Sequence, residues 1–219
     1  MKLVLYGFVL SMLLMASCKE QPKTSEAPNE DSQVEVNFNG LKSVDTEHST
    51  LYWKGYKIMG NHTGTIGLKS GSLVFDKGAI TGGKFVVDMQ SVKVTELMDF
   101  GEAEEEEEES DEDDKSDLAQ HLMDADFFDS ETHPTATFQI TNSTHSGNTY
   151  QINGNLTIKG VQKEASFEAQ MNENILKGTL SIDRTQFGVT YGSGSFFENL
   201  GDRAIKDKFD IEVSLHIIE

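Results

Sequence analysis

Apolar and polar side chains alternate with period two through most of the chain. Ala136, Phe138 and Ile140 alternate with polar neighbours. Tyr150, Ile152, Leu156 and Ile158 do the same, as do Ala165, Phe167, Ala169 and Met171. Leu176, Leu180 and Ile182 follow, and then Phe209, Ile211, Val213, Leu215 and Ile217. Each run predicts a strand with one apolar and one polar face. Upstream, the pattern predicts further strands over 50–57, 63–69, 72–76, 83–89 and 91–97. Turn signals separate many of them: Lys69-Ser70-Gly71, Asp76-Lys77-Gly78, Ser146-Gly147-Asn148 and Asn172-Glu173-Asn174. Short, regular spacing of this kind predicts an antiparallel meander of about eight or more strands, in a barrel or a sandwich. Closure into a barrel removes exposed edges. One helix is predicted over 117–127, where Leu118, His121, Leu122 and Ala125 recur at helical spacing after an acidic turn.

The first residues carry a different pattern. Met1-Lys2 precedes an apolar stretch from Leu3 to Leu14, and Met15-Ala16-Ser17-Cys18 follows. A basic start, a short apolar run and small residues describe a secretory signal. The run stops short of the roughly 18–20 apolar residues of a membrane span. Leu14 to Cys18 resembles a bacterial lipobox, with Met15 where leucine is usual. This predicts a signal peptide over 1–17 and an acyl anchor on Cys18, the only cysteine in the chain. An ordinary secretory signal with an incidental cysteine is the alternative. The resemblance also implies export across the inner membrane to the outer membrane, because Lys19 rather than aspartate follows the cysteine. Residues 18–40 are polar, contain Pro22 and Pro28, and read as a disordered tether. The folded domain is predicted over 41–219.

Charge sharpens this division. The 219 residues carry 37 acidic and 18 basic side chains, a net charge of −19. Thirteen of the acids fall within 99–117 against the single base Lys115, so that segment alone carries −12. It predicts a disordered, self-repelling insertion in a mildly acidic domain. So acidic a balance argues against a nucleic-acid partner. A lone cysteine excludes an intramolecular disulfide scaffold and a cysteine-built metal cluster. The acidic run fails the EF-hand template, since Lys115 takes a ligand place and no glycine supplies the turn.

Four segments in order resemble one family. Gln120-His121-Leu122-Met123-Asp124-Ala125-Asp126-Phe127-Phe128-Asp129, with His133-Pro134-Thr135-Ala136-Thr137-Phe138 after it, looks like the helix-and-turn signature of the YceI-like proteins. Tyr150 to Val161, Ile182 to Gly188 and Ile205 to Phe209 resemble that family's later segments. The resemblance runs from about Val44 to the C-terminus, interrupted by the acidic run. It implies an all-β fold, a lipocalin-like antiparallel barrel with an elongated apolar interior. Family members bind polyisoprenoid or other long acyl-type lipids non-covalently, are not known as enzymes as a class, and can form homodimers.

Combined with the alternation, this gives a predicted lipid-binding lining: Trp53, Phe75, Phe85, Val87, Leu122, Phe127, Phe138, Leu156, Phe167, Leu180 and Phe209. The competing reading is that these side chains simply fill the barrel as core. Met59, Met89 and Met171 would suit a tolerant pocket. His121 and Arg184 are the candidate head-group contacts, Arg184 through a bidentate phosphate pair. The bland alternatives are a helix histidine bonded to a loop, and an arginine paired with Asp126, Asp129 or Asp183. No zincin, nucleophile-elbow, P-loop or dinucleotide fingerprint is present. The sequence therefore predicts no catalytic residue, cofactor or metal set. Two other classes stay open: an interaction protein using the acidic loop, and a hydrolase whose metal site is assembled from distant strands.

Overall fold

The computed structural model describes residues 39–99 and 112–218. The predicted signal peptide, Cys18, nearly all of the predicted tether and acidic residues 100–111 lie outside them. Eight antiparallel strands, each paired with the next in sequence, close into one barrel. They are β1 (Gly40–Lys57), β2 (Gly60–Asp76), β3 (Ala79–Asp99), β4 (Thr135–Ser146), β5 (Thr149–Ile158), β6 (Val161–Asn172), β7 (Ile175–Asp183) and β8 (Ile205–Ile218). A helix, α1 (Glu112–Met123), lies between β3 and β4 and packs against β3. Closure joins β8 to β1, with Trp53 opposite Ile211.

Three predicted boundaries move, each for a local reason. Lys69-Ser70-Gly71 is not a turn. β2 runs through it with a register shift between Leu68 and Ser70, so 63–69 and 72–76 form one strand. Gly71 is needed there for space, because a Cβ would stand 2.9 Å from Val44 Cβ. The predicted strands 83–89 and 91–97 are likewise one strand. The Ser91 hydroxyl bridges the irregularity, accepting from Gly67 N at 2.6 Å and donating to Asp88 O at 2.7 Å. The helix covers 112–123 rather than 117–127. Glu112, Asp113 and Asp114 form its first turn, where negative charge is favoured by the exposed N–H groups. Part of the predicted disordered insertion is thus helical. Beyond Met123 the chain turns back, with Phe128 N donating to Leu122 O and Asp129 N to Asp124 O.

Alternation sets what lies inside. In β5, Tyr150, Ile152, Gly154, Leu156 and Ile158 are buried in strict alternation. At the end formed by the β2–β3, β4–β5 and β6–β7 turns the interior is solid. Leu73, Phe75, Ile80, Ile152, Met171, Leu176 and Ile217 are at most 2% exposed there. Tyr150 caps this end by donating from its hydroxyl to Gly78 O at 2.7 Å. The opposite end gathers the β1–β2 turn, α1, the β5–β6 turn and the long connection from β7 to β8.

Candidate functional site

An apolar cavity of about 180 Å³ occupies the barrel half nearest this second end. Ten of the eleven predicted lining residues border it: Trp53, Phe85, Val87, Leu122, Phe127, Phe138, Leu156, Phe167, Leu180 and Phe209. Phe75 does not. It faces inward as predicted, but it pairs with Gly40 and Ile80 at the solid end and is core. Of the three methionines, Met89 lines the cavity. Met171 is core and Met59 is exposed on the β1–β2 turn. Gly55, Tyr56, Ile66, Phe128 and Lys206 also line the cavity and were not predicted. Gly55 continues the inward alternation of Leu51 and Trp53, which was legible. Tyr56 and Lys206 stand where strands end and alternation fails, so nothing in the pattern marks them.

Glycines hold the aromatic rings in place. Trp53 lies over Gly64 of β2, where a Cβ would stand 2.6 Å from its Cζ2. Phe138 covers Gly154 of β5, where the distance to Cζ would be 2.5 Å. Phe167 covers Gly178 of β7 at 3.0 Å. Each ring fills the space a missing side chain leaves and lies along the wall rather than across the lumen. The indole N–H of Trp53 donates to Lys93 O at 3.2 Å. Phe138 and Phe167 meet edge to face at 5.8 Å, as do Phe128 and Phe209 at 6.0 Å.

Charged groups at the cavity are few and sit at this second end. Arg184, 2% exposed, donates from Nε to Lys206 O, from Nη1 to Val189 O and Tyr191 O, and from Nη2 to Ile205 O, all at 2.8–3.1 Å. Four of its five N–H groups are therefore spent on carbonyls. The fork cannot clasp a phosphate bidentately, and no ion pair to Asp126, Asp129 or Asp183 forms. Burial pulls its pKa down, and the charges of Asp207 and Asp183 hold it up. Its cation lies 5.6 Å from the centre of the Phe127 ring. Arg184 is thus a staple between the start and the end of the β7–β8 connection. Asp207 reinforces it, accepting from the Ser193 and Ser195 hydroxyls at 2.5 Å each. His121 does not border the cavity. It meets Tyr191 edge-on at 4.5 Å and Phe127 at 5.7 Å, from the helix side. The Tyr56 hydroxyl donates to Asp210 Oδ2 at 2.7 Å. That bond, with some burial, pushes its pKa up to about 12. Lys206 Nζ sits 5.7 Å from the Tyr56 ring centre.

Among the described residues, one trio brings metal-type ligands together: His121 in the last turn of α1, with Asp124 and Asp126 in the turn that follows. Both carboxylates are exposed and none of the three borders the cavity.

The profile of the YceI-like domain matches residues 43–217. The chain belongs to the YceI-like family. Two UPF0312 proteins, from Pectobacterium atrosepticum and Pectobacterium carotovorum, are each 40% identical over 52 residues, 24% of this chain. The match spans 27% of the length of each of these relatives. Among crystal structures, BcnA of Burkholderia cenocepacia shares the fold with a TM-score of 0.58 at 22% identity, over 80% of this chain and 99% of that one. A polyisoprenoid binding domain from Saccharophagus degradans, implicated in plant cell wall breakdown, aligns with a TM-score of 0.53 at 14% identity, over 80% and 97%. The eight-stranded closed barrel is the family's fold.

Proposed function

We propose that this protein is a non-catalytic carrier or sequestering protein for a long apolar lipid, of polyisoprenoid or fatty-acyl type. The observation that carries this reading is the cavity. Apolar side chains, the ten predicted among them, surround free space, and its charged groups, Arg184 and Lys206, stand at the second end of the barrel. A barrel filled by its own side chains would leave no such space. The volume lies below the ~300–1,000 Å³ of typical ligand pockets, so the space takes one segment of a long chain. Each buried methylene contributes ~0.8 kcal/mol, so selectivity by chain length follows directly. The Saccharophagus domain's described ligand class supports the polyisoprenoid option. We further propose a bacterial envelope lipoprotein held on the outer membrane through acylated Cys18, which rests on the lipobox resemblance.

Native mass spectrometry after mild detergent extraction tests the carrier. A co-purifying lipid is expected. A lipid-free protein that takes up neither a prenyl nor a fatty-acyl probe refutes it and leaves the self-filled barrel. For the anchor, Cys18→Ala is expected to release the protein from the membrane fraction, and continued attachment overturns that assignment.

A further inference from the structure

Exposed apolar side chains are unevenly placed. Of the ten large ones exposed among the described residues, six stand on three neighbouring elements at the cavity end. Ile58 and Met59 are on the β1–β2 turn, Met98 is near the end of β3, and Tyr191, Phe196 and Phe197 are on the β7–β8 connection. These elements are adjacent: β1 pairs with both β2 and β8, β2 pairs with β3, and Ile58 N donates to Ala204 O. The six thus stand on adjacent elements, an arc at the cavity end of the barrel.

The arc is a built feature. The Arg184 staple and the Asp207–Ser193–Ser195 cluster fix the base of the connection. Phe196 N and Phe197 N both donate to Ser193 O, at 3.1 and 3.0 Å. Phe196 and Phe197 are nevertheless 58% and 50% exposed. Two adjacent phenylalanines held outward by a bonded loop mark an interaction surface.

We propose that this arc is a docking rim that seats on the surface of a zwitterionic lipid bilayer and opens the cavity toward the acyl chains. Two observations select that occupant for the roughly 600 Å² that six half-exposed side chains of about 200 Å² each offer. The arc is continuous with an apolar cavity, so a bilayer meets both at once. The exposed carboxylates of α1 and the turn after it, Glu112, Asp113, Asp114, Asp124 and Asp126, belong to this same end, so an anionic surface is repelled. Docking does not depend on the carrier reading; only the exchange of lipid through the mouth rests on it.

Two tryptophan reporters test the rim in the full chain on phosphatidylcholine vesicles containing brominated lipid. Phe196→Trp lies on the arc and Ile218→Trp at the solid end, with Trp53 common to both. Quenching several-fold greater for Phe196→Trp is expected, and weaker quenching at low salt when phosphatidylglycerol is added. Equal quenching of the two reporters overturns the proposal. So does a concentration-dependent blue shift of Phe196→Trp without vesicles, which would place a second copy on the arc. Phe196→Ser/Phe197→Ser is expected to slow transfer of a bound prenyl or acyl probe to vesicles at least tenfold while leaving equilibrium probe binding unchanged. Loss of probe binding in every variant would refute the carrier, and the quenching comparison would still decide docking.

Discussion

Gly55→Leu separates ligand space from folding core. Gly55 lines the cavity near its mouth, and a Cβ there meets nothing closer than Trp53 Cζ3 at 3.9 Å and His62 O at 4.0 Å. The new side chain therefore enters the lumen without displacing backbone. Its four carbons occupy room otherwise open to about four ligand methylenes, a loss of ~3 kcal/mol or roughly 200-fold in affinity. The same atoms gain contact in the free protein. Partial burial of a leucine, together with lower chain entropy than glycine in the unfolded state, is worth about 1–2 kcal/mol. For a domain of this size that raises Tm by roughly 3–6 °C. Stability and binding should move in opposite directions. Trp53, the only tryptophan and a cavity residue, reports both through its emission, during lipid titration and during thermal unfolding. Unchanged lipid affinity in a more stable variant would show that no chain reaches the Gly55 level. A lower Tm would show that the space described there is not open.

Other expectations follow from single contacts. Gly64→Ala would put a Cβ 1.9 Å from Lys93 O, a backbone atom that cannot step aside, so a loss of ~3 kcal/mol or more in urea unfolding is expected, with Gly55→Ala nearly neutral. Arg184→Lys keeps the charge but loses the fork that joins four carbonyls, which should cost ~2–4 kcal/mol and admit proteolysis within 190–204; equal stability and resistance would contradict the staple. Ultraviolet titration should show one tyrosine ionising near pH 12, lost in Tyr56→Phe or Asp210→Asn. Because its folded pKa is raised, Tyr56 contributes stability that is complete below about pH 10 and disappears as pH rises from 10 to 12. A stability profile unaltered by Tyr56→Phe across that window would refute the assignment.

Much of this protein can be read along the chain. Period-two alternation places Trp53, Phe85, Phe138, Leu156 and Phe167 on the inward face, because successive strand side chains point to opposite sides whatever the strand packs against. Turn residues divide most strands correctly. The exception, Lys69-Ser70-Gly71, arises because glycine serves close approach inside a strand as readily as it serves a turn. The helix start shifted because acidity alone reads as a solvated run, whereas Glu112, Asp113 and Asp114 also suit a helix N-terminus.

The sequence by itself therefore determined the strand pattern, the family, and which side of each strand faces inward. It could not determine height along the barrel axis. Phe75 and Phe85 face inward alike, yet one is core and the other borders the cavity. That difference is set by inter-strand register and bulges, which no single strand encodes. Arg184 shows the same limit: its motif suggested an anion fork, but closure of the β7–β8 connection surrounds it with carbonyls. The exposed arc, too, exists only because barrel closure brings β8 beside β1. Local chemistry fixes the face a side chain takes, and only the closed barrel decides whether that face meets core, cavity or solvent.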